Sequence, residues 1–93
     1  MNLNIETITH DDYYEVIVGG ELDVYTVPEL EEVLVPMRQE GNHDIHVNLA
    51  NVSYMDSTGL GLFVGTLKAL NQNDKELYLS LIHISEPTRL LSI

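Results

Sequence analysis

The chain has 93 residues, of which 15 are acidic and only 4 are Lys or Arg, giving a formal charge of −11. Such a surface repels nucleic-acid phosphates and anionic lipid headgroups, which argues against direct DNA, RNA or membrane binding. There is no Cys for a disulfide or a thiolate zinc site, and no apolar run reaches the about 18 residues of a spanning helix.

The N-terminus carries neither a basic start nor a long apolar stretch, so no secretory signal is expected. A small acidic cytoplasmic domain is the expectation. Its 44% hydrophobic residues are enough for a modest core.

Residues 3–8 alternate as a half-buried strand does, from Leu3 to Ile8. His10, Asp11 and Asp12 form a polar turn. Tyr13 to Val18 reads as the second arm of a β-hairpin, with Tyr14, Val16 and Val18 on one face. Gly19 and Gly20 either end this strand or allow a bulge.

The period then changes. Leu30, Val33, Leu34 and Met37 recur at the spacing of one helix face. Thr26 and Glu29 have capping-box spacing, Pro28 suits a first turn, and Gly41 suits a stop. Pro36 is expected to kink the helix or end it near residue 35.

Asp44 to Ala50 alternates as a third strand, and 51–58 reads as a polar loop. A second helix is predicted from about Thr58 to Asn71, with Leu60, Phe63, Val64, Leu67 and Leu70 as its apolar face. Gly61 and Gly65, four apart, would let another backbone pack closely. A turn over 71–74 leads to a fourth strand at 76–79. The order β-β-α-β-α-β defines an α/β domain with a mixed sheet.

The segment Met55-Asp56-Ser57-Thr58-Gly59-Leu60 lies between a strand and a helix. Its simplest role is a helix cap at Ser57 or Thr58. A sharper role is a phosphorylation switch at Ser57, because a helix N-terminus offers free N–H groups and a positive dipole end to a phosphate.

Catalytic readings fail on spacing. Asp-Ser-Thr-Gly is one residue too long for an aspartic-protease loop. Met55 stands where a nucleophile elbow needs Gly, and Val64 stands where a dinucleotide fingerprint needs Gly. No His lies in the loop to activate Ser57, so a hydrolase is not expected.

His43 and His46, three apart at a strand start, point to opposite faces and do not share a metal. His10 and His83 likewise read as surface or turn residues. Glu29, Glu31 and Glu32 complement the helix dipole. Tyr25, between polar residues, is a candidate contact anchor.

At Glu21-Leu22-Asp23-Val24-Tyr25 and again from Val52 to Gly61 the chain closely resembles the bacterial anti-sigma factor antagonists, single-domain members of the STAS group. The resemblance covers residues 1–78. It implies a regulatory binding module without enzymatic activity or cofactor. The unphosphorylated form would bind an anti-sigma factor that is itself a serine kinase, and so free a stress-response sigma factor.

That kinase would phosphorylate Ser57, and a PP2C-type phosphatase would remove the phosphate. The implied partner surface comprises Asp23, Val24, Tyr25, Thr26, Asp56, Thr58, Gly59, Leu60 and Gly61. A STAS module of another regulatory complex, a sporulation-type antagonist or a stressosome-like scaffold, is the alternative that the same resemblance leaves open.

The resemblance ends at Leu79. Residues 79–93 read like the translation of a transposase adapter used in DNA library preparation, and Ser80 to Ile93 shows no clear period. The expectation is an incomplete STAS domain over 1–78 followed by a non-native tail that adds neither helix nor strand. Exposed apolar surface and aggregation or partial folding are expected to follow. His83 and Ser85 in that tail are given no functional weight.

Overall fold

A computed structural model describes residues 3–81 and the backbone of 90–92. The elements are β1 (Leu3–Thr9), β2 (Tyr13–Leu22), α1 (Val27–Glu40), β3 (Asp44–Met55), α2 (Ser57–Asn71), β4 (Leu77–Ser80) and β5 (Leu90–Ser92). Up to β4 the order is the predicted β-β-α-β-α-β. The sheet is mixed, in the order β1-β2-β3-β4-β5. The β1–β2 and β4–β5 pairs are antiparallel, and β2–β3 and β3–β4 are parallel.

The two parallel crossovers run in the same direction across the sheet. Right-handed connections therefore place α1 and α2 on one face. Val16, Val18, Ile45, Val47, Leu49, Leu77 and Leu79 point into that face and meet Leu30, Leu34, Leu62, Phe63 and Leu70 from the helices. Alternation turns Tyr13, His46 and Tyr78 to the other face. There their rings form a row that begins at His10, with centroids 4.2, 4.2 and 4.8 Å apart.

Several local expectations are corrected. Gly19 and Gly20 do not end β2. Two register shifts there let it run on to Leu22, which is the bulge reading. β3 does not stop at Ala50. The segment read as a polar loop stays paired with β2 as far as Leu22↔Met55, because backbone hydrogen bonding does not require apolar side chains.

Pro36 does not shorten α1, which continues to Glu40 and ends on Gly41 in the left-handed region at φ 71°. Pro36 is exposed, so the carbonyl its ring deprives of a donor, that of Glu32, is free to face water. The capping box at Thr26 is absent: its hydroxyl donates to Glu21 O at 2.6 Å and caps no N–H of α1.

α2 is rotated relative to the predicted face. Leu62, Phe63, Thr66 and Leu70 are buried, whereas Leu60 and Val64 are exposed. The tail does add a strand, β5, paired from Ser80↔Leu90 to Tyr78↔Ser92. His83 and Ser85 lie outside the described residues. Among the described residues no helix is long and apolar enough to cross a membrane, and no cluster of His, Cys, Asp or Glu could hold a metal.

Candidate functional site

Two segments leave the same end of the sheet side by side. β2 delivers Asp23-Val24-Tyr25-Thr26 and β3 delivers Asp56-Ser57-Thr58, immediately after the paired residues Leu22 and Met55. The backbone N–H of Asp56 donates to Leu22 O at 3.1 Å and extends the ladder one step into the site.

The first segment is a self-bonded turn. Asp23 Oδ1 accepts from Tyr25 N at 2.9 Å and Thr26 N at 3.1 Å, which is an Asx turn. Asp23 O accepts from Val27 N at 2.9 Å. Thr26, 2% exposed, accepts from Asp23 N at 3.0 Å. Both polar side chains are thus consumed in holding the turn. What the turn displays is Val24 and Tyr25, 58% and 78% exposed.

The second segment starts α2. Asp56 is the N-cap, in place of the predicted Ser57 or Thr58, and its Oδ1 accepts from Thr58 N at 2.9 Å. Ser57 is therefore the first helical residue, exposed to solvent. Leu60 N bonds to Asp56 O at 3.2 Å. Ser57 and Gly59 keep N–H groups without an acceptor in their own helix, as helix starts do.

Gly59 is buried. A Cβ there would stand 3.0 Å from Met55 Cγ and 3.3 Å from Leu22 Cβ, so the close approach falls at Gly59. Gly61 and Gly65, read from sequence as the packing pair, make no such approach to another backbone. A Cβ on Gly61 meets nothing within 4 Å.

The candidate residues thus divide. Val24, Tyr25, Ser57, Thr58, Leu60 and Gly61 are exposed, while Asp23, Thr26, Asp56 and Gly59 set their positions. Tyr54, 53% exposed at the end of β3, adds apolar surface that sequence reasoning missed. Its place in a strand, with alternation, was the available signal.

The family model of the STAS domain matches residues 4–88, and the chain belongs to that family. The anti-sigma-B factor antagonist of Staphylococcus epidermidis is 92% identical over 79 residues, 85% of this chain and 73% of the relative. The protein of the same name from Staphylococcus aureus (strain NCTC 8325 / PS 47) is 85% identical over the same shares.

The anti-sigma factor antagonist SpoIIAA in its unphosphorylated form superposes with a TM-score of 0.70 at 24% identity, covering 84% of this chain and 71% of that one. The phosphorylated form of the Bacillus cell fate determinant SpoIIAA gives 0.66 at 23%, covering 90% and 74%. These two likenesses are of fold. The two staphylococcal relatives are named as antagonists of an anti-sigma factor.

Proposed function

We propose that the chain is an anti-sigma factor antagonist that works by partner switching. Unphosphorylated, the face formed by Val24, Tyr25, Ser57, Thr58 and Leu60 binds an anti-sigma factor serine kinase and frees a stress-response sigma factor. Phosphorylation of Ser57 ends that binding, and a PP2C-type phosphatase restores it. ATP belongs to the kinase, and the chain itself uses no cofactor.

The observation that carries the reading is the position of Ser57. Its hydroxyl is exposed at the first position of α2, beside the displayed Tyr25 turn. A phosphate there meets unused N–H groups and the positive helix end, so it is held without unfolding anything. Its charge of about −1.5 to −2 is added to a face that already carries Asp56 and alters what can bind. The 92% identity to an anti-sigma-B factor antagonist supports the same reading.

The test is incubation with ATP and the staphylococcal anti-sigma-B factor, followed by peptide mass spectrometry. One phosphate on Ser57, absent from Ser57→Ala, is expected. Ser57→Asp is expected to lose binding. Phosphate on another residue, or full binding by Ser57→Asp, would overturn the switch.

A further inference from the structure

The groove between α1 and α2 has a volume of about 390 Å³, and we propose that it receives a helix of the anti-sigma partner whose Asp or Glu pairs with Arg38. This rests on the partner reading above and extends the contact away from the Ser57 end. Both helices start at the same end of the sheet and run alongside each other. The groove therefore opens beside Val24 and Thr58 and reaches Arg38 near Gly65. Val27 and Leu62 line it between, so an apolar strip runs between charged walls at Glu31 and Arg38, and such a channel between two helices suits an amphipathic third helix.

Charge identifies the occupant. Arg38 is one of 4 basic residues in a chain with 15 acids. Its guanidinium nevertheless donates to Thr66 Oγ1 at 3.2 Å and pairs with no carboxylate among the described residues. A helix laid over it would strip water from an unpaired cation, which is unfavourable unless the helix brings a carboxylate. Glu31, also on the groove, asks for a base on the same helix. A second copy of this chain, itself at −11, is a poor occupant because like charges repel.

The helix surface agrees. Gly65 has no positive φ, and a Cβ there would meet only Arg38 Nη1, at 3.4 Å. The fold gives no steric reason for a residue unfavourable in helix interiors. A neighbouring helix lying close would.

The test is a binding titration of the full chain with the anti-sigma-B factor of Staphylococcus epidermidis. The variants are Arg38→Glu, Arg38→Met, which keeps the apolar stem, and Gly65→Leu, which fills the groove. Circular dichroism checks that each folds. Arg38→Glu and Gly65→Leu are expected to raise Kd at least tenfold, and Arg38→Met less. One acid-to-Arg change on a partner helix is expected to restore affinity to Arg38→Glu.

Wild-type binding lost in Tyr25→Ala, but within twofold of wild type in both groove variants, would overturn the groove and leave the function standing. No wild-type binding would remove both. Self-association of the wild-type chain alone, abolished by Gly65→Leu, would make the occupant a second copy and overturn the proposal.

Discussion

Leu22 accepts a hydrogen bond from the backbone N–H of Asp56 at 3.1 Å while its side chain is fully buried. One residue thus joins the last rung of the β2–β3 ladder, the core, and the two segments that form the candidate site. The Asp23 turn begins one residue after it, and a Cβ placed on Gly59 would stand 3.3 Å from its Cβ. Leu22→Ala keeps the backbone bond and removes the packing. The expected loss is about 2–5 kcal/mol, as for other buried leucines. Urea unfolding measures it. Affinity for the proposed anti-sigma partner should fall as well, although Leu22 is fully buried, because both displayed segments lose their common support.

The two helix glycines near the site should respond in opposite directions. Gly61→Ala adds a Cβ to open space and gains helix propensity, so the isolated chain should be stabilised by up to about 1 kcal/mol. Gly59→Ala puts its Cβ 3.0 Å from Met55 Cγ and 3.3 Å from Leu22 Cβ. The methionine can swing aside, but Leu22 Cβ is fixed by the ladder, so overpacking offsets the propensity gain. Paired denaturant curves should place Gly59→Ala below Gly61→Ala in stability by more than about 1 kcal/mol. Equal midpoints would show that β2 yields at Leu22.

The element order was legible because hydrophobic period changes cleanly between Val18, Leu30, Val47 and Phe63, whereas grouping the Asp23 and Asp56 segments into one candidate surface came from the resemblance. What was not legible came from tertiary context. Asn51 to Met55 looks like a loop by side chains, yet its backbone pairs with β2 because Gly19 and Gly20 absorb the register change. The face of α2 was misplaced by about one position because Thr66 is polar. Its hydroxyl is buried by donating to Leu62 O at 2.8 Å and accepting from Arg38, which periodicity of apolar residues cannot reveal. The cap lies at Asp56, one residue before the earlier of the two expected positions, Ser57 and Thr58, since Asp, Ser and Thr all cap well.

The C-terminal segment yields a prediction about the gene. We infer that residues 79–93 are foreign to the protein, on the adapter-like string from Leu79 to Arg89, against a STAS family match that runs on to residue 88. The relatives extend further than the matched 79 residues, which are 73% of their length. Leu79 is 6% exposed and still fills its place in β4, whereas Leu81 is 49% exposed, so a substitute sequence can complete the strand without covering what lies beyond it. Sequencing the 3′ end from genomic DNA should give a different, longer continuation. An identical genomic tail would refute the inference.

Stability should depend on pH through His46. Burial between the rings of Tyr13 and Tyr78 disfavours its charged form, and His10 opposes the charge as well. Asp44 and Glu15 pull the other way without prevailing, so the pKa lies below the ordinary histidine value of 6.5. The sign follows from linkage: below pH 6.5 the unfolded chain binds a proton that the folded chain refuses. This contribution is therefore complete above pH 6.5 and falls as pH drops through 6.5 toward the lowered folded value. Melting temperature measured from pH 7.5 to 5 should decline in this window, and the decline should be shallower in His46→Gln, which keeps a polar planar group in the row without titrating. His10→Gln removes one of the groups that oppose the charge on His46, so its decline should also be shallower than wild type, though less so than that of His46→Gln. A wild-type profile matched by His46→Gln across the window would place the pH dependence elsewhere.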